Sequence, residues 1–165
     1  MIIAASSKIQ EIVNYIESVA KTTQPVLITG ETGVGKEMIA RRIYELSDPD
    51  GPFITVNVAG LDDNLFSDAL FGHVTDTDTV RSGLVDTASG GTLFLDEIGA
   101  LGLVSQATLL RLIQEKEYSK PGEGEVKKAT VRIVAATSRD LWHLREAGAF
   151  REDLNYRIRV HHIHP

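Results

Sequence analysis

The chain contains no cysteine, which excludes a disulfide framework and a thiolate metal site and fits a reducing, cytoplasmic setting. Long apolar runs are also missing: no stretch approaches about 18 apolar residues, and the opening MIIAASSKIQ has no apolar centre of signal-peptide length. Neither export nor a bilayer span is expected. Positive charge is in the minority, 17 Lys and Arg against 23 Asp and Glu, giving a formal charge of -6 and a pI near 5.3. Such a chain is no general binder of nucleic acid or anionic membrane, and no direct DNA contact by this segment is expected. Tandem repeats, low-complexity tracts and Pro- or Ser-rich linkers are absent, so one domain over residues 1–165 is the simplest partition. What is present is ordinary globular material: 165 residues, 42% hydrophobic and 24% charged, enough apolar mass to bury a core. That composition excludes intrinsic disorder and collagen.

Periodicity divides the chain into alternating helices and strands. Ile9, Ile12, Val13, Ile16, Val19 and Ala20 recur at helical spacing, with Ser7 and Gln10 placed as a capping box at the start. Val26-Leu27-Ile28-Thr29 is a short β-rich run, after which Met38, Ile39, Ile43 and Leu46 resume the helical period. Further strands are expected at residues 53–58, 92–95, 131–136 and 160–163, and further helices at 62–71, 106–114, 141–147 and 151–156. Pro121-Gly122-Glu123-Gly124 reads as a hairpin-like turn. The pattern implies an α/β fold with a mostly parallel, five-stranded sheet flanked by helices, whose ligands sit beyond the carboxyl ends of the strands. Trp142, Phe94 and Leu141 are expected at or near the core rather than as a base-stacking platform. His161, His162 and His164 alternate along the last strand, which puts His162 and His164 on one face and His161 on the other; they are not expected to gather round a metal.

Between the first strand and the second helix stands Gly30-Glu31-Thr32-Gly33-Val34-Gly35-Lys36, which fits G-x-x-x-x-G-K in the context its chemistry needs. Glycines let successive backbone N–H groups turn inward round phosphate oxygens, the following helix directs its positive end there, and Lys36 supplies a point charge to the β and γ phosphates. The next residue, Glu37, stands where the general motif has Ser or Thr to ligate Mg²⁺. A carboxylate can serve there only with the metal between it and the phosphates. Leu93-Phe94-Leu95-Asp96-Glu97 is an apolar strand ending in two acids, which suits Asp96 to organise Mg²⁺ and Glu97 to polarise a water for attack on the γ-phosphate. Water attack is favoured over kinase-type transfer because no base for an acceptor hydroxyl is evident.

These stretches are joined by Gly51-Pro52-Phe53-Ile54-Thr55-Val56-Asn57, Leu70-Phe71-Gly72-His73, Gly90-Gly91-Thr92, Ile98-Gly99 and the segments 109–115 and 150–157. In that order, over nearly the whole chain, the sequence resembles the AAA+ ATPase domain of bacterial sigma-54-dependent transcription activators, the enhancer-binding proteins. Glu after the P-loop lysine is usual in that family. The resemblance implies a P-loop NTPase fold, here without the helical lid that follows it, as a fragment of a longer regulator. It implies that residues 30–37 bind ATP with Mg²⁺ and that Asp96 and Glu97 are the Walker B pair. Asn57 matches the asparagine that holds the catalytic Glu in a nucleotide-dependent switch, although on its own it reads as the polar end of a strand. Arg151 and Arg157, six apart on a helix, match arginine fingers that reach the ATP of a neighbouring subunit, although outside the family they would read as a solvated face. Fingers acting in trans imply a homo-oligomer, hexameric in this family. Ser138 follows Thr137 where the family often has Asn in the sensor of the γ-phosphate; serine can still hydrogen-bond but reaches less far.

The family's sigma-54 contact is a Gly-Ala-Phe-Thr-Gly-Ala loop. Here His73 is followed by Val74-Thr75-Asp76-Thr77-Asp78-Thr79-Val80-Arg81-Ser82-Gly83, which is shorter and contains no aromatic residue. An exposed Phe between glycines can dock on a partner and move; a short acidic-threonine loop offers neither anchor nor mobility. The expectation is an ATP-hydrolysing core of a sigma-54-activator-like regulator with a degenerate sigma-54 contact loop, which counts against sigma-54 as its partner. A second reading is a non-hydrolysing, nucleotide-sensing module that sets the oligomeric state of a transcription regulator that does not remodel sigma-54. A third, a P-loop phosphotransferase, needs an acceptor pocket that the sequence does not reveal.

Overall fold

The apolar runs are short, rich in β-branched and Leu residues, and separated by segments long enough to cross back over a sheet, which is the condition for parallel pairing. A computed structural model describes residues 2–33, 35–74, 77, 80–119 and 124–165. In chain order the elements are α1 (Ile2–Ala20), β1 (Val26–Thr29), α2 (Lys36–Leu46), β2 (Phe53–Asn57), α3 (Asp63–Phe71), β3 (Gly72–Val74), β4 (Val80–Ser82), α4 (Leu84–Thr87), β5 (Thr92–Asp96), a 3-10 turn (Ile98–Ala100), α5 (Leu103–Glu115), β6 (Glu117–Ser119), β7 (Val126–Lys128), β8 (Arg132–Thr137), α6 (Leu141–Glu146), α7 (Glu152–Ile158) and β9 (His161–Ile163). Five strands form one sheet in the order β2-β5-β8-β1-β9, with every pairing parallel. Alternation along each strand divides the core. Leu27, Leu93, Leu95, Ile133 and Ala135 join α3, α5 and α7 on one face, while Val26, Ile28, Phe94, Val134, Ala136 and Ile163 meet α1 and α2 on the other. Among the described residues no helix is long and apolar enough to cross a membrane.

All five expected strands are present, with ends shifted by about one residue. Two antiparallel ribbons accompany them, β3 with β4 and β6 with β7; at three residues a strand, neither has room to show a period. The expected turn at Pro121-Gly122-Glu123 lies outside the described residues, but β6 and β7 flank it and pair as a hairpin would, Ser119 opposite Val126.

Three expectations are corrected. Helix α1 begins at Ile2 rather than at Ser7: Ala4 and Ala5 extend it, and Gln10 Nε2 donates along the helix to Asn14 Oδ1 at 2.9 Å instead of closing a capping box. Phe94 and Leu141 are buried, but Trp142 is 58% exposed, because six-residue α6 turns Leu141 and, in part, Leu144 inward and the Arg145 guanidinium covers the indole from outside at 4.6 Å. Arg151 lies outside helix α7, as its N-cap in extended conformation, so only Arg157 is helical. The histidines do alternate: His162 Nε2 and His164 Nδ1 both meet Thr29 Oγ1, at 2.7 and 2.9 Å, while His161 Nδ1 meets Tyr15 OH at 3.2 Å.

One buried cation ties α1 to the sheet. Arg132, at the start of β8, is 8% exposed. It donates to the last carbonyls of α1, Nη2 to Val19 O at 2.8 Å and Nη1 to Ala20 O at 3.2 Å, and through Nε to Gln24 O at 3.2 Å. Burial lowers its pKa to about 10, which leaves it charged at neutral pH. The guanidinium thus both satisfies orphan carbonyls and opposes the negative end of the helix dipole. Replacement of Arg132 by Met would take the donor from Ala20 O and leave Val19 O to Thr22 alone, whose N and Oγ1 both donate to it at 3.0 Å, and a loss of about 1–3 kcal/mol is expected from urea unfolding. Amide exchange should quicken first in the last turn of α1; a loss under about 0.5 kcal/mol would show that the contact is dispensable.

Candidate functional site

Parallel pairing brings the carboxyl ends of four strands to one edge. Asn57 lies opposite Asp96, Asp96 opposite Ala136, and Thr29 opposite Thr137. Gly30 N donates to Thr137 O at 3.3 Å, so the glycine loop starts from the end of β8 as well as from β1. Gly33 and Gly35 have φ of +91° and +84°, and a Cβ at Gly33 would meet nothing within 4 Å, so backbone conformation rather than crowding demands glycine there. Gly35 is the N-cap of α2 and brings no side chain to cap the helix, leaving its first amides available to an anion. Glu31, Thr32 and Gly33 are exposed around this loop; Val34 lies outside the described residues. Lys36 is 7% exposed and folds back over the loop, its Nζ donating to Gly30 O at 2.7 Å and Glu31 O at 3.0 Å.

The acidic pair sits across the edge from Lys36. Asp96 Oδ1 is buried without a hydrogen-bond partner. Desolvation, and then repulsion from Glu97, push its pKa up; Lys36 opposes the shift and Glu37, exposed in the first turn of α2, adds to it. A buried, unpartnered carboxylate oxygen in the field of a lysine has the chemistry of a hard-cation ligand. Glu97 carries φ of +63°, a conformation uncommon outside glycine and a mark of constrained functional positions. Its Oε2 accepts from Ser138 Oγ at 3.0 Å and from Ser138 N at 3.4 Å. Asn57 is turned elsewhere, its Oδ1 accepting from Ala59 N at 2.9 Å. The structure therefore brings Glu97 to Ser138 and does not bring Asn57 to Glu97.

Two supporting residues stand in stretches that carry the family resemblance, but nothing in the sequence signals their contact with each other. Thr137 is fully buried, and its Oγ1 accepts from Arg139 N at 3.1 Å, which fixes the turn carrying Ser138. A Cβ on Gly99 would lie 2.7 Å from that hydroxyl, so the turn after the acidic pair can pack only through glycine. Only the tertiary pairing of β5 with β8 makes either of them part of the site.

Arg151 and Arg157 border a separate hollow with Gln114, Glu152, Asp153 and Tyr156, none of them a residue of the glycine loop or the acidic pair. Arg151 holds Asp153 in a two-bond fork, Nε to Oδ1 and Nη2 to Oδ2, both 2.9 Å, which lowers the Asp153 pKa and raises that of Arg151. Tyr156 beside them is 79% exposed.

Comparison with known proteins agrees with this geometry. The family model described as the sigma-54 interaction domain matches residues 2–164. The regulatory protein AtoC of Escherichia coli (strain K12) is 45% identical over 167 residues, covering 98% of this chain and 36% of AtoC. NtrX from Brucella abortus, solved in complex with ATP, superposes with a TM-score of 0.83 at 32% identity over 94% of this chain and 36% of that one. The P-loop NTPase domain of an E. coli sigma-54 transport activator matches in fold, with a TM-score of 0.65 at 17% identity over 96% of this chain and 94% of its own. The chain spans about a third of the length of AtoC. Sheet order, glycine loop and acidic strand end thus have one common source: the chain belongs to the sigma-54 interaction domain family of transcription regulators, with the P-loop NTPase (AAA+) fold.

Proposed function

We propose that these 165 residues are the nucleotide-binding part of a longer, cytoplasmic transcription regulator, and that they bind and hydrolyse ATP. The observation that carries the proposal is the buried, unpartnered Asp96 Oδ1 in the field of Lys36, because such an atom is costly to keep unless a cation meets it. Asp96, with Glu37 in support, would hold Mg²⁺, which when bound neutralises charge on the β and γ phosphates. Lys36 exchanges its two carbonyl acceptors for phosphate oxygens, and residues 30–37 present their amides. Glu97 takes the proton from the attacking water once it leaves Ser138, and a γ-phosphate competing for the Ser138 hydroxyl supplies the cause of that release. Asn57, at the neighbouring strand end, then becomes an alternative restraint for Glu97.

The separation of Arg151 and Arg157 from the glycine loop supports action on a neighbour's nucleotide, hence a ring of identical subunits, six in the family pattern. Residues 75, 76, 78 and 79 of the shortened loop lie outside the described residues, and Thr77 and the strands β3 and β4 around them contain no aromatic that could dock on sigma-54. Output through a partner other than sigma-54 follows. A non-hydrolysing nucleotide sensor is the second reading, favoured by the tether of Glu97 to Ser138.

Turnover measured against protein concentration in the full-length protein separates the two. For hydrolysis in a ring, the rate per subunit should rise with concentration, fall at least about 100-fold in Glu97→Gln with ATP affinity within about threefold, and vanish in Lys36→Ala. ATP binding without turnover in the unsubstituted protein supports the sensor instead.

Asp96 also makes a stability prediction. Its folded-state pKa lies above the unfolded value, so its protonated form favours folding, and that contribution is lost as pH rises through the carboxylate range. Asp96→Asn should therefore raise the Tm of the nucleotide-free protein at pH 7, by a margin that shrinks in acid, while abolishing the Mg²⁺ dependence of stabilisation by ATP. A Tm unchanged or lowered at pH 7 would show that Asp96 carries no such cost.

A further inference from the structure

The end of the sheet opposite the glycine loop holds a groove of about 830 Å³, within the usual range of ligand sites. Four cations line it, Lys21 after α1, Lys116 after α5, Arg132 at the start of β8 and Arg157 in α7, and no carboxylate does. In a chain with a formal charge of -6 this is a reversal of sign. Asp48 and Asp50 flank Pro49 without lining the groove. Among the described residues, none of the four has a carboxylate partner.

Helix dipoles supply the obvious competing account. The C-terminal ends of α1, α2, α5 and α7 all reach this groove, and each contributes up to roughly half a negative charge. Arg132 is already spent on the carbonyls of α1. With Arg132 set against α1, the three remaining cations carry about twice what the ends of α2, α5 and α7 offset, so the groove stays positive.

We infer that this groove docks an acidic, partly aliphatic peptide segment of a partner. A compact phosphate is the less suitable ligand: helix C-termini rather than N-termini face the groove, so no amide cradle forms, and the cations stand on four separate elements. Leu46, Pro49 and Val131 lie between them. Carboxylates spaced along an extended chain match the cations, and aliphatic side chains match the intervening surface. This inference does not depend on ATP hydrolysis.

A fluorescein-labelled twelve-residue peptide, Asp- and Glu-rich with Leu or Pro at every third position, tests it by anisotropy at physiological salt. Binding is expected to weaken at least tenfold in Lys21→Glu with Lys116→Glu, and to stay within twofold in Lys8→Glu with Arg145→Glu, a reversal of equal charge on other surfaces. Lys36→Ala should leave it unchanged, and Tm values of both double variants should match the parent. Equal weakening in the two double variants, equal affinity for the Asn/Gln version of the peptide, or displacement by equimolar inorganic pyrophosphate would each overturn the inference.

Discussion

The pairing of β1 with β8 is the constraint on which the site depends. Its register sets Thr29 against Thr137, and from there a single backbone bond, Gly30 N to Thr137 O, fastens the glycine loop to the strand whose continuation is Ser138. Shift that register by one residue and every side chain of β1 changes face. Leu27 would leave the cluster packed on α5 and α7, and the loop would start from the wrong height relative to Asp96. The apolar alternation of four short strands is thus what sets the geometry of a polar edge.

At that edge the chain accepts local cost. Asp96 is partly desolvated beside Glu97 with one oxygen unpartnered, and Glu97 occupies a left-handed backbone conformation. Neither feature stabilises the fold by itself; under the proposed function each positions charge for phosphate and metal. Lys36 and Glu97 are meanwhile held by substitutes, one on loop carbonyls and the other on Ser138. Bonds to such substitutes are individually modest, about 1–3 kcal/mol for charged groups, so a nucleotide can displace them.

The sequence was most legible where function and local structure share one requirement. The glycine loop needs positive φ at Gly33 and Gly35 whatever else the protein does, and both glycines stand out in the string. The buried strands β1, β5 and β8 declare themselves through β-branched and leucine-rich runs, as does the less buried edge strand β2. Illegible were features set by contact between distant segments: the two three-residue ribbons, the bond from Ser138 to Glu97, and the tight approach of Gly99 to Thr137. Trp142 misleads for a related reason. Its size predicts burial, but α6 is too short to bury two successive large residues, and Arg145 offers an external surface to cover it. Arg151 was placed on a helix by spacing alone, whereas its extended backbone puts it one step before that helix, where it can fork with Asp153.

The two ends of a parallel sheet are electrostatically unequal, because each strand runs into a loop that opens the next helix. Helix N-termini gather at the carboxyl edge and C-termini at the amino edge. The first arrangement suits a phosphate site without any charged side chain; the second produces a negative field that this chain overcorrects. Arg132 answers the need of α1 by itself, with donors on Val19 and Ala20. Folding does not require Lys21, Lys116 and Arg157 to face the same hollow as well, since exposed lysines and arginines can turn into solvent from neighbouring positions at little cost. A surplus of positive charge maintained on three separate elements of an acidic chain, two of them carrying Lys21 and Lys116, which have no part in the proposed nucleotide site, is accounted for by a ligand of opposite sign better than by the stability of the fold.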